Sequence, residues 1–171
     1  MFEFSRFYPA DFERGRDFFE ALDGFLRQLP KGWRYGVEIR NKHFLVPEYF
    51  SMLARYNVCH IFNSWQDMPS LIEQMGLPGS RPADFCGARL LLRPGRKYEA
   101  AVELFSPYSE IKDPYPEGRE AGRKLIEEVL IGGALRRLFV YVNNRFEGNA
   151  IETLAAILAS VRPQIIQHAG P

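Results

Sequence analysis

Gly36-Val37-Glu38-Ile39-Arg40-Asn41 is a short, mostly apolar run that carries a carboxylate and a guanidinium at positions i and i+2. In an extended chain alternate side chains share a face, so Glu38 and Arg40 project together. Two opposite charges on one face of a buried strand are costly to remove from water. They form either a satisfied structural pair or part of a site. Four other strand-like segments also end in polar groups, and that recurrence points toward a site at one end of a sheet.

The rest of the chain is built to enclose such strands. Its 171 residues are 46% hydrophobic and 14% aromatic, enough for one substantial core in a single domain over residues 1–171. Lys+Arg (22) nearly balance Asp+Glu (21), and no basic run is interleaved with aromatics, so no nucleic-acid partner is expected. The opening Met-Phe-Glu-Phe-Ser-Arg-Phe is charged within its first residues, unlike a signal peptide. No apolar stretch approaches the ~20 residues of a membrane span. Cys59 and Cys86 sit in apolar strand-like runs and are expected to stay reduced and packed in a cytoplasmic protein.

Strand and helix signals alternate. Phe2–Phe7, Trp33–Arg40, Asn57–Asn63, Asp84–Leu92 and Arg137–Asn143 read as strands. Asp11–Leu29 is a helix with Phe12, Phe18, Phe19, Leu22, Phe25, Leu26 and Leu29 on one face, and Pro30-Lys31-Gly32 ends it. Pro47 opens a second helix through Tyr56, and shorter helices fall near Pro69–Met75 and Tyr98–Phe105. Glu117–Leu130, stopped by Gly132-Gly133, and Asn149–Val161 complete the set. Five β-then-α units in series give an α/β protein with a parallel sheet. Pattern and length alone favour an open sheet, since a (β/α)8 barrel needs ~250 residues.

The details point elsewhere. Phe2-Glu3-Phe4-Ser5-Arg6-Phe7, Val37-Glu38-Ile39-Arg40-Asn41, Asn63-Ser64-Trp65, Ala88-Arg89-Leu90 and Tyr141-Val142-Asn143-Asn144 with Glu147-Gly148-Asn149-Ala150 occur in order. In these segments the chain resembles the Domain of Unknown Function 72 (YecE-like) family, TIM-barrel proteins without an established activity. The resemblance covers essentially the whole chain and implies strands four to eight of the barrel, an incomplete (β/α)8 of five parallel units. The family's Thr-Ser-Gly-Trp and Glu-Ile-Asn-Ser-Thr-type signatures of strands one to three do not occur. Glu3 and Ser5 stand where the family has Gln and Pro. Its Arg-Leu-His-Gly becomes Arg89-Leu90-Leu91-Leu92, which removes an acid–base histidine. Met1 opens directly on strand residues, so it could be an internal methionine read as a start.

In a barrel, the carboxyl ends of the strands converge on one mouth, where sites lie. That would gather Glu3, Glu38, Arg40, Asn63, Arg89 and Asn143 or Asn144. Glu38 suits proton transfer, and Arg40 and Arg89 suit anion binding. The alternative for all three is a buried ion network, and for the two asparagines it is backbone capping at a strand end. His43 could reach the mouth from its loop or lie on the surface; His60 reads as a packed strand residue and His168 as a tail residue. Arg93-Pro94-Gly95-Arg96-Lys97 is a basic turn that would be solvated or touch phosphate at the mouth, and Trp65, Tyr108 and Tyr115 would wall a pocket or pack the loops. No spacing of His, Cys or carboxylates matches a metal site, and no phosphate-loop motif occurs, so no cofactor is named.

A small-molecule binding module without turnover is one reading, and two other functions remain open at this stage. One is an enzyme acting on a small polar or anionic ligand at the mouth. The other is a non-catalytic partial barrel, or a subunit completed by self-association or a complementing chain through its exposed sheet edges.

Overall fold

The computed structural model describes residues 1–132 and 135–161; Gly133 and His168 lie outside these. Five strands, β1 (Phe2–Phe4), β2 (Gly36–Ile39), β3 (Cys59–Ser64), β4 (Phe85–Leu90) and β5 (Arg137–Val142), alternate with helices. The helices are α1 (Gly15–Arg27), α2 (Pro47–Arg55), α3 (Leu71–Met75), α4 (Tyr98–Phe105), α5 (Pro116–Leu130) and α6 (Ala150–Ser160). Every strand pair is parallel, in the order β1-β2-β3-β4-β5. The sheet is α/β and open: β1 and β5 each keep one unpaired side among the described residues. This matches an incomplete barrel rather than a doubly wound sheet, whose strand order would reverse.

The alternation of side chains divides the core. Val37, Ile39, Phe62, Cys86, Ala88 and Leu90 face the helices and pack into two large clusters beneath α1–α2 and α5–α6. The opposite, concave face holds a smaller cluster of Cys59, Ile61, Ala83 and Phe85. Cys59 and Cys86 therefore project to opposite faces, and both are free buried thiols. Ile61 occupies the concave face between Gly36 and Gly87: a Cβ on Gly36 would stand 2.6 Å from Ile61 Cδ1, and one on Gly87 closer still. Two glycines thus make room for one branched side chain.

Two of the boundaries that differ from the sequence expectation do so because a side chain replaces backbone pairing. β1 stops at Phe4 because Asn41 takes over beyond it: its Oδ1 accepts from Phe7 N–H (2.8 Å) and its Nδ2 donates to Phe7 C=O (2.9 Å). α1 starts at Gly15, not Asp11, because Asp11 closes a turn through Tyr8 N–H (2.8 Å). Gly132, at φ +82°, ends α5 as its position after the last helical turn requires.

Candidate functional site

Strand register fixes the site. Glu3 lies beside Glu38, and Asn63 beside Arg89, on strands that end together. Arg40 Nη2 meets Glu3 Oε1 at 2.5 Å, and Arg40 Nε meets Glu38 Oε1 at 3.3 Å. Arg89 Nη1 bonds both Glu38 Oε2 and Glu3 Oε2. Two carboxylates and two guanidiniums thus alternate in a closed ring with no net charge, at the carboxyl end of the concave face. Glu38, 0% exposed, is its buried member, while Glu3 keeps 34% of its side chain open to solvent. Burial works against the charged form of Arg89, but its bonds to Glu38 and Glu3 outweigh that and raise its pKa above the ordinary value.

The surroundings hold the ring in place. Trp65 lies flat under Arg40, with the guanidinium carbon 3.9 Å from the ring centroid. Asn63 is fully buried and staples β3 to β2 by donating Nδ2–H to Ile39 C=O (3.1 Å), while its Oδ1 has no hydrogen-bond partner among the described residues. Gln74, from α3, completes the backbone of Asn63: its Oε1 accepts from Asn63 N–H (3.2 Å) and its Nε2 donates to Asn63 C=O (2.7 Å). Nothing in the sequence pattern marks Gln74 as a buried polar residue.

Arg40 also lines a cleft of about 320 Å³ on the outer side of the β1 and β2 ends. Its walls include Arg6, Lys42 and His43, the aromatic rings of Phe7, Tyr8, Phe12 and Phe44, and Gly15 at the start of α1. His43 is exposed on a 3₁₀ turn (Lys42–Phe44) and belongs to this cleft rather than to the ring. Asp67 and Glu13 bring the opposite charge, and Asp67 is already held by Arg6 at 3.3 Å.

Asn143 and Asn144 stand apart from the ring. Asn143 Oδ1 accepts Arg145 N–H (2.9 Å), and Asn144 Oδ1 accepts Ala150 N–H at the start of α6 (2.8 Å). Their side chains follow the capping reading.

A second ionic centre forms after β5, around Glu147, which the sequence reading held only as part of a family motif. Glu147 is fully buried, holds Arg119 Nε through both oxygens (2.8 and 3.0 Å) and accepts Tyr115 N–H. Its backbone C=O takes Lys112 N–H (2.9 Å), so this one residue ties the long segment before α5 to the end of β5. The basic turn joins the same segment: Arg93 and Arg96 both reach Asp113, Arg93 lies over Tyr115 and Arg96 over Phe105. The only signal was Glu147-Gly148-Asn149 itself, a charge beside a glycine in a loop.

His60 is buried among Tyr49, Phe50 and Phe62, with Nδ1 3.3 Å from Tyr49 Oη. Burial lowers its pKa to about 4. Among the described residues no group of His, Cys, Asp and Glu could hold a metal ion, and no helix is long and apolar enough to cross a membrane.

Sequential parallel β–α units with a charged ring at the carboxyl end of the sheet define an α/β protein whose open sheet fits part of a barrel. The family described as Protein of unknown function DUF72 matches residues 4–170, and the chain belongs to it. A solved structure of a DUF72 family protein (EF0366) from Enterococcus faecalis V583 is similar in fold, at a TM-score of 0.55 and 12% identity over 89% of this chain. The chain spans about half, 54%, of that protein's length. No curated protein matches it.

Proposed function

We propose that the protein binds a small anionic ligand with a flat or apolar body at the carboxyl end of its sheet. The observation that carries this is the double membership of Arg40, which belongs to both the ion ring and the cleft. The Arg40 Nε and Nη2 groups are taken by the two glutamates, and one face of the guanidinium is covered by Trp65. Its remaining edge is available to a ligand in the cleft. Arg6, Lys42 and His43 supply further donors there, and Phe7, Tyr8, Phe12 and Phe44 supply the apolar wall.

Proton transfer falls to Glu38, the buried centre of the ring. Both its oxygens are paired. An anion that draws Arg40 or Arg89 toward itself frees one of them, with Arg89 the second anion contact and Glu3 and Asn63 bordering it. In this reading Asn143 and Asn144 support the mouth through the turns they cap. Two buried free thiols support a reducing, cytoplasmic setting.

Inorganic phosphate and benzoate test the reading by thermal shift and calorimetric titration. Saturable stabilisation by benzoate, lost in Lys42→Ala and Arg6→Ala while both variants unfold cooperatively, supports it. A ligand at a hundred times its Kd adds ~2.7 kcal/mol, well within detection. Absence of saturation with either anion, or equal stabilisation of the variants, refutes it.

A further inference from the structure

A second concave site lies at the opposite end of the sheet from the ion ring. Tyr35, Val58 and Asp84 directly precede β2, β3 and β4. With the last turns of α1 and α2 they line a cleft of about 790 Å³ at the amino end of the strands, a volume within the ~300–1,000 Å³ of small-molecule sites. Leu26 and Val58, both buried, and the half-buried rings of Tyr35 and Tyr56 give it an apolar side. Its rim is the loop that joins α1 to β2. Gly32, at φ +87°, turns this loop, and Tyr35 Oη donates to Pro30 C=O (3.0 Å) and closes it. Lys31, Trp33 and Arg34 are left outside the closure, with Trp33 75% exposed. Tryptophan is on average a well-buried residue, so an indole in water at the mouth of a cleft calls for a function.

The cleft is cationic. Arg27, Lys31, Arg34 and Arg55 line it against one carboxylate, that of Asp84. Arg27 and Arg55 are already held by Asp23, at 2.8 and 2.5 Å. The Lys31 and Arg34 side chains form no ion pair or hydrogen bond among the described residues, so two positive charges flank Trp33 without a partner. Asp84 supplies an acceptor. Its Oδ1 takes the Asn57 amide (3.1 Å) and its backbone N–H donates to Asn57 Oδ1 (3.1 Å), which fixes the carboxylate in place. Its Oδ2 accepts no hydrogen bond among the described residues.

We infer that this cleft binds a nucleoside monophosphate. Three parts of that ligand meet three features of the site. The base stacks on Trp33. The phosphate, with about two negative charges at neutral pH, is taken by Lys31 and Arg34. A ribose hydroxyl donates to Asp84 Oδ2. A bare phosphate would leave Trp33 and Asp84 unused, and an aromatic carboxylate would bring no donor to Asp84. The run Lys31-Gly32-Trp33-Arg34-Tyr35 is too short to track a polynucleotide and fits one nucleotide. In parallel α/β folds chemistry sits at the carboxyl ends of the strands, so this ligand is bound here and not transformed. The site does not rest on the anion reading of the carboxyl end and shares no lining residue with that cleft.

Calorimetric titration of the full chain with AMP, adenosine and inorganic phosphate tests the inference. AMP should bind saturably, and adenosine and phosphate, each making only part of the contacts, should bind about tenfold more weakly or worse. Trp33→Ala and the double variant Lys31→Ala/Arg34→Ala should each weaken AMP by about tenfold or more. Both should still unfold cooperatively, because all three side chains are exposed. AMP should also quench tryptophan emission in the wild type but not in Trp33→Ala, which keeps only Trp65. Lys42→Ala, in the cleft at the other end of the sheet, should keep the Trp33 signal unchanged. No saturable AMP binding, phosphate binding as tightly as AMP, or Trp33→Ala without effect would each overturn the inference. So would loss of AMP binding in Lys42→Ala in place of Trp33→Ala, which would assign AMP to the carboxyl-end cleft instead.

Discussion

Arg89 and Glu3 meet across the concave face although they lie 86 positions apart in the chain, with β2 and β3 between their strands. Neighbouring parallel strands stand ~4.8 Å apart, so a flat sheet would put their backbones some three spacings from each other. Side-chain reach and sheet curvature together close that gap. Glu38, from the intervening β2, takes the second contact of the same Arg89 nitrogen.

The ring should respond unequally to loss of its two carboxylates. Glu38→Gln leaves Arg40 and Arg89 facing a single charge in a buried setting, and should cost ~3–5 kcal/mol in urea unfolding. Glu3→Gln acts on a partly solvated member and should cost about 1 kcal/mol. Equal costs would show that the ring does not divide into a buried centre and an open rim.

His60 gives the fold an acid-sensitive element. Its folded pKa of about 4 lies below the ordinary 6.5, so the unfolded chain binds the extra proton. Stability from this residue is full above pH 6.5 and falls as pH drops toward 4, by ~3 kcal/mol at 1.36 kcal/mol per unit. Urea unfolding of wild type and His60→Phe between pH 7 and pH 4 measures it; the variant should lose most of the slope over that window.

Gly148 should not tolerate a side chain. It sits at φ +122°, where L residues are strained, and a Cβ there would press on the backbone of Glu110 and stand 2.9 Å from Lys112 N. Gly148→Ala should cost at least ~2 kcal/mol and loosen the segment that Glu147 holds. Limited proteolysis should then cut first between Ser106 and Tyr115.

Cys59 and Cys86 should be silent toward thiol reagents. Burial pushes both thiols up to about 12, so almost no thiolate is present at neutral pH. Labelling by a disulfide reagent should follow the unfolding transition, and fast labelling of the native protein would contradict the packing.

The sequence by itself determined the alternation of elements, the parallel α/β class and the pairing of Glu38 with Arg40. All of these follow from local periodicity: apolar repeats near 3.6 mark the helices, and an i, i+2 spacing puts two side chains on one face. The family was also legible, because its motifs are short strand ends kept in order. The tertiary structure alone decided which charges close the ring, since Glu3 and Arg89 meet only through the register and curvature of strands distant in the chain. It alone turned His43 away from the ring and into the cleft, and spent Asn143 and Asn144 on neighbouring backbone. Gln74 is a buried polar residue that no pattern marks, and Glu147 was marked only as part of a family motif, not as a buried charge. Their burial depends on unpaired backbone groups, at Asn63 and in the segment before α5, which exist only once strands and helices have packed.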